Sequence, residues 1–242
     1  MSGQSDIKQD LPSFSTLVDL LRWRVLHQPN QTGYTFLADG DNKEIRLTYE
    51  ELDRRARHIS AEINFLGAAG QPVLLVFPSG LDFIAAFFGC LYSGSIAVTA
   101  YPPRPNRQSD RVAVIIKDSG AKVVITQEKI RTVMETSVEC LENTEHLQWI
   151  TVDDLEKCPD RTWNPADINA ESLALIQYTS GSTAQPNGVM VSHGNILHNS
   201  LITATAYHSS PTDICVGWLP MTHDMGLIGN MLQPLYIGCH YI

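Results

Sequence analysis

The sequence predicts an α/β fold in which largely parallel sheets are covered by helices. Three observations lead there. Short runs such as Val73–Phe77 are apolar at every position, the pattern of a parallel strand buried on both faces. Between such runs lie segments whose apolar residues recur at helical spacing. Strands that alternate with helices in this way build parallel sheets.

Taken in order, Thr16 is a plausible N-cap for a helix whose apolar face is Leu17, Leu20, Leu21 and Val25. Thr48 with Glu51 makes a capping box. It opens a helix with Leu52, Ala56, Ile59, Ile63 and Leu66 on one face, stopped by Gly67 and Gly70. Strand Val73–Phe77 ends at Pro78. Phe83–Tyr101 carries no charged residue and approaches membrane-spanning length. Gly89 and the Ser93–Ser95 turn interrupt it, and Pro102 and Pro103 end it. It therefore reads as a buried helix around Leu81–Leu91, a turn, and a buried strand Ile96–Ala100. Further strands are expected at Lys122–Thr126, Trp149–Val152, Leu173–Gln177 and Ile214–Trp218. Helices are expected at Val112–Lys117, Ile130–Leu141, Gly194–Tyr207 and Met225–Leu235.

Cys158–Ala170, with Pro159 and Pro165, reads as a loop between two α/β stretches. The division is then residues 1–157 as a first half, 158–170 as the loop and 171–242 as the start of a second half. Both halves could share one sheet system.

Composition narrows the function. The formal net charge is −9, which disfavours nucleic acid and anionic membrane surfaces as main partners. An anionic ligand must then be held by local geometry. Five cysteines are scattered without a C-x-x-C pair; this reads as a reduced, cytoplasmic chain with no disulfide framework or zinc site.

The segment Tyr178-Thr179-Ser180-Gly181-Ser182-Thr183-Ala184-Gln185-Pro186-Asn187-Gly188-Val189 follows a strand directly. Its hydroxyls and backbone N–H groups are what a loop needs to wrap phosphate oxygens. Gly181 permits close approach of an anion. The spacing is not that of a P-loop, and no G-x-G-x-x-G fingerprint occurs. On composition alone, an ordinary surface loop and a phosphate cradle remain equally open.

Tyr178–Val189 with Met190-Val191-Ser192-His193 closely resembles the phosphate-binding signature of the adenylate-forming superfamily. Ala184 and Asn187 stand where that signature has glycine and lysine. Gln177 before the loop, and Trp218-Leu219-Pro220-Met221-Thr222-His223-Asp224-Met225-Gly226-Leu227, resemble the fatty acyl-AMP ligases within it. So do Tyr101-Pro102-Pro103-Arg104-Pro105, Asp110-Arg111 and Asp118-Ser119-Gly120-Ala121. The resemblance runs from about Thr48 onward and implies part of the large N-terminal domain of such an enzyme.

The reaction implied is ATP-dependent activation of a fatty acid to an acyl-adenylate with release of pyrophosphate, then transfer to an acyl carrier protein. Thr179, Ser180, Gly181, Ser182, Thr183 and Gly188 would hold the nucleotide phosphates, with Mg2+ neutralising their charge. A lone histidine at a strand end is most often structural; by the resemblance, His223 would sit beside the reacting carboxylate and the α-phosphate. Asp224 reads as a helix cap, and Ser192 and His193 as a cap and a structural residue. Arg104, Arg107 and Arg111 read as a solvated face. The resemblance also implies that family members continue well beyond Ile242, so the chain is expected to be a truncated part and inactive alone. Two alternatives stay open: a fragment of an acyl-CoA synthetase, with coenzyme A as acceptor, and a non-catalytic binding module.

Overall fold

A computed structural model describes residues 12–103, 110–138, 146–157, 161–179 and 187–242. Helix α1 spans Leu17–His27, and strands β1 (Thr32–Leu37) and β2 (Glu44–Thr48) form a hairpin before α2 (Tyr49–Phe65). Then come β3 (Pro72–Val76), α3 (Leu81–Tyr92), β4 (Ile96–Ala100), α4 (Asp110–Ser119), β5 (Val123–Thr126), α5 (Glu128–Val138) and β6 (Gln148–Thr151). A 3-10 turn, Val152–Lys157, precedes β7 (Leu173–Thr179), β8 (Asn187–Ser192), α6 (His193–Tyr207) and β9 (Ile214–Cys215). A π-helix, Met225–Leu232, runs into α7 (Gln233–Ile237), and β10 (His240–Tyr241) follows.

The strands form two sheets. The larger has the order β6-β5-β3-β4-β7-β8 and the smaller β2-β1-β10-β9. Every pair in the larger sheet is parallel except β7–β8. From β3 the chain crosses to β4 on one side and then returns to β5 on the other. Alternation along β3 divides the core. Val73, Leu75 and Phe77 join a cluster with Leu52, Ala56, Ile59 and Phe87 from α2 and α3. Leu74 and Val76 join Val98, Val124 and the α4 residues Val112, Ile115 and Ile116. A one-residue slip in β3 would exchange these two sets.

Both stretches flanking residues 158–170 contribute to both sheets. β7 pairs with β4 through Ala97↔Leu175 and Val98↔Ile176, and β10 pairs with β1 through Tyr34↔Tyr241. A buried Arg24 ties α1 to α7. Its guanidinium donates to the carbonyls of Leu235 at 3.1 Å and Tyr236 at 2.8 Å, satisfying carbonyls that a helix C-terminus leaves open.

The apolar segment beginning at Phe83 is the buried helix, turn and strand expected of it. Among the described residues no helix is long and apolar enough to cross a membrane. The N-cap expected at Thr16 forms, and the structure adds a capping box there with Asp19; the capping box expected at Thr48 forms with Glu51. Gly67 and Gly70 each take φ of 71°, the left-handed conformation that ends a helix. Three expectations need correction. The strand expected at Ile214–Trp218 is regular only over Ile214–Cys215. The helix expected at Met225–Leu235 begins as a π-helix. The helix at Ile130–Leu141 starts at Glu128, and its expected last residues lie outside the described ones.

Candidate functional site

In a parallel sheet with helices on both faces, ligands bind beyond the carboxyl ends of the strands. Here one segment, residues 220–224, is fastened across those ends. The Met221 N–H donates to Ser79 Oγ at 3.1 Å, just past β3. Thr99 Oγ1 in β4 donates to the Thr222 carbonyl at 3.3 Å. Gln177 Nε2 in β7 donates to the same carbonyl at 2.9 Å. All three partners of the two Thr222 bonds are buried, so water does not compete for them. Gln177 Oε1 is buried without a hydrogen-bond partner.

The segment then turns outward. His223 donates its N–H to the Pro220 carbonyl at 3.0 Å, and its own carbonyl accepts from the Leu227 N–H at 2.7 Å. Its side chain is exposed. Asp224 Oδ1 accepts the Met225 N–H at 2.7 Å, the capping role expected of it. Gly226 makes the turn possible. A Cβ there would lie 2.1 Å from the Pro220 carbonyl oxygen.

Thr179 closes β7 and pairs across the hairpin with Asn187, while Tyr178 pairs with Gly188. Ser180, Gly181, Ser182 and Thr183 lie outside the described residues. Gly188 has a steric reason of its own. A Cβ would sit 2.7 Å from Ile176 Cγ2 and 3.1 Å from Tyr178 Cζ. That ring is fixed by its hydroxyl, which donates to Asp118 Oδ2 at 2.5 Å. Burial first, and then Asp118, raise the Tyr178 pKa and keep the phenol protonated as a donor.

The Gln177 bond joins the two candidate segments. It places position 222 against β7, two residues before Thr179, so His223 and the start of the 179–188 loop share one end of the sheet. Gln177 entered the sequence reading only through its place beside the loop. Thr99 and Ser79 gave no signal there, being ordinary hydroxyls in or after apolar strands.

The other residues singled out lie elsewhere. His193 is buried, and its Nδ1 accepts the Leu17 N–H at 3.2 Å. Burial lowers its pKa to about 4, with Asp19 partly opposing. It joins α6 to the start of α1, as a structural residue. Ser192 is the N-cap, in a box with Asn195. Arg111 is exposed, with Nη2 3.4 Å from the Tyr178 carbonyl; Arg104 and Arg107 lie outside the described residues. Among the described residues no group of three or more His, Cys, Asp or Glu is gathered to hold a metal ion.

Residues 21–242 match the AMP-binding enzyme family. The chain belongs to that family. The AMP-binding match starts earlier than the sequence motifs, taking in most of α1. The medium-chain-fatty-acid acyl-carrier-protein ligase JamA of Moorena producens (strain JHB) is 38% identical over 231 residues, covering 94% of this chain and 39% of JamA. The long-chain-fatty-acid AMP ligase FadD23 of Mycobacterium tuberculosis (strain CDC 1551 / Oshkosh) is 31% identical over 233 residues, covering 93% of this chain and 40% of FadD23. Among solved structures, the fatty acyl-adenylate ligase of L. pneumophila, in complex with acyl adenylate and pyrophosphate, superposes with a TM-score of 0.84 at 36% identity. That match covers 100% of this chain and 41% of the other. The chain thus spans about two fifths of the length of the AMP-binding enzymes it matches.

Proposed function

We propose that the protein carrying this chain activates a fatty acid with ATP, forming a fatty acyl-adenylate and pyrophosphate, and passes the acyl group to an acyl carrier protein. The observation that carries this reading is the Gln177–Thr222 hydrogen bond of 2.9 Å. It brings the backbone beside His223 to the end of β7 at which Thr179 begins the hydroxyl-rich segment. The names of the relatives supply the substrate and acceptor.

In the reaction, a carboxylate oxygen forms a bond to the α-phosphorus of ATP. The bond from that phosphorus to the bridging oxygen breaks, and pyrophosphate leaves with the electron pair. The chain's part is positioning and charge stabilisation. Hydroxyls and backbone N–H groups of Thr179, Ser180, Gly181, Ser182 and Thr183 hold phosphate oxygens, and Gly188 lets the hairpin close under the Tyr178 ring. His223, exposed on a backbone anchored through Thr222, orients the carboxylate. Ser79, Thr99 and Gln177 hold that backbone. With a net charge of −9, the chain has no general attraction for ATP, so these local donors do the holding. Mg2+ would arrive on the nucleotide phosphates and neutralise their charge; the described residues offer it no ligand cluster.

The acceptor is tested by product analysis. The full-length protein is incubated with ATP and a fatty acid, with either coenzyme A or a carrier protein, and the products are resolved by mass spectrometry. Fatty acyl-AMP accumulates and is consumed by the carrier protein. Abundant acyl-CoA would instead make it an acyl-CoA synthetase.

A further inference from the structure

Strand β9 and the residue leading into β10 bring two thiols together. Cys215 Sγ lies 3.4 Å from Cys239 Sγ, and both cysteines are free. The backbone fixes this placement. Tyr241 pairs with Cys215, and the Ile242 N–H donates to the Cys215 carbonyl at 2.8 Å. Gly238, with φ of 87°, turns the chain out of α7 towards Cys239. A Cβ at 238 would strike Arg24 Nη1 at 2.4 Å. Cys239 packs with Ala204 and Ile237, and Cys215 lies against that cluster.

The two sulfurs differ in access. β9 is the outer strand of its sheet, and the residues flanking Cys215, Ile214 and Val216, are 63% and 70% exposed. Cys215 is half-buried, whereas Cys239 is fully buried. Burial first, and then the neighbouring Cys215, push the Cys239 thiol up to about 12. A solute in water therefore meets Cys215 first.

We propose that Cys215 and Cys239 are a modification site that a peroxide closes into a disulfide. The Cys215 thiolate attacks one peroxide oxygen; the O–O bond breaks, the leaving hydroxide takes up the proton, and Cys215 becomes a sulfenic acid. The Cys239 sulfur then attacks the Cys215 sulfur, the S–O bond breaks and water leaves. In sum, two thiols are oxidised by two electrons and one hydrogen peroxide is reduced to two waters. Reaching the ~2.05 Å of a disulfide requires the sulfurs to approach by on the order of 1 Å. The bond staples the outer strand β9 to the start of β10, immediately before the stretch that leads to His223. By constraining the unfolded chain it raises thermal stability. Cys90 takes no part, since it is buried in the main core and burial raises its pKa strongly.

The test uses the protein with Cys140→Ser and Cys158→Ser, so that Cys90, Cys215 and Cys239 are the thiols within these 242 residues, and follows the peptides that contain them. It is treated with hydrogen peroxide, capped with a maleimide, digested without reductant and analysed by mass spectrometry. The expected product is a Cys215–Cys239 cross-linked peptide, reversed by dithiothreitol, from a protein lighter by two hydrogens and with a higher melting temperature. Adding Cys239→Ser should leave a sulfenic acid on Cys215 that dimedone traps. Adding Cys215→Ser should abolish the cross-link. Oxidation of folded protein to a Cys215 sulfinic acid with Cys239 still a thiol would overturn the proposal. So would a cross-link through Cys90, or thiols that survive peroxide unchanged.

Discussion

Two glycines in the same π-helix test how tightly the backbone beneath His223 is built. A Cβ on Gly226 would meet the Pro220 carbonyl oxygen at 2.1 Å, whereas one on Gly229 would meet only Met225 Sδ at 3.5 Å. A carbonyl that helps set the 220–223 turn cannot yield without moving His223. Gly226→Ala is therefore expected to cost about 1–3 kcal/mol, a fall of roughly 2–4 °C per kcal/mol for a chain of this size. Gly229→Ala should be nearly neutral. Calorimetry on both variants decides it, and equal melting temperatures would refute the steric account. Asn187 raises the opposite question, of charge. It is exposed and sits opposite Thr179 at the base of the hairpin. An exposed ionic contact is worth only about 0–1 kcal/mol, so Asn187→Lys should tighten ATP binding by no more than about fivefold. An ATP titration showing a much larger gain would mean that charge, not the backbone and hydroxyl cradle, governs the loop. These residues differed in legibility. His223 and the 179–188 stretch stood out through motif. The steric duties of Gly188 and Gly226 did not, because they depend on what lies across the turn.

Among the elements, those with strong local signals were readable. Apolar runs gave β3, β4 and β5, and side-chain caps gave the starts of α1, α2 and α6. The elements missed had little local signal. β1, Thr-Gly-Tyr-Thr-Phe-Leu, mixes polar and apolar residues without an apolar run, and β2 is mostly exposed, with burial only at Leu47. β8 is exposed over Asn187–Met190 and so reads as part of the loop before it. β9 was read too long because Val216 and Trp218 have strand-forming side chains, yet they are 70% and 88% exposed and bury little that would hold the strand regular. The junction of α6 with α1 carries a pH signature. His193 is buried and neutral in the fold, with its pKa lowered to about 4, against about 6.5 in an unfolded chain. Above pH 6.5 neither state is protonated, and the contribution of the junction is complete. As pH falls from 6.5 to 4, the unfolded chain binds a proton that the fold refuses, so stability drops by about 3 kcal/mol from this group. Urea unfolding across that range should show the loss in the wild type and a clearly smaller one in His193→Gln. Parallel pH profiles for the two proteins would rule out His193 as the titrating group.

At the scale of the whole molecule, the fold is stitched across its length. β1 pairs with β10, and β4 with β7, so residues far apart in sequence set the two sheets. Alternation of strands and helices foretold a parallel architecture, but not this threading, because register between distant strands leaves no local trace in the chain. The same threading makes the site. Ser79 just past β3, Thr99 in β4 and Gln177 in β7 converge on residues 221 and 222, which no single segment could reveal. In the proposed reaction this convergence positions His223 for the carboxylate. The most direct measurement is fatty-acid-dependent exchange of labelled pyrophosphate into ATP by the full-length protein carrying His223→Ala. Loss of one positioned polar group in a transition state typically costs about 2.7–4 kcal/mol. Exchange should therefore fall by roughly a hundred- to a thousandfold, with ATP affinity and melting temperature nearly unchanged. Full exchange activity in the variant would contradict the account and leave His223 as a surface residue of the turn.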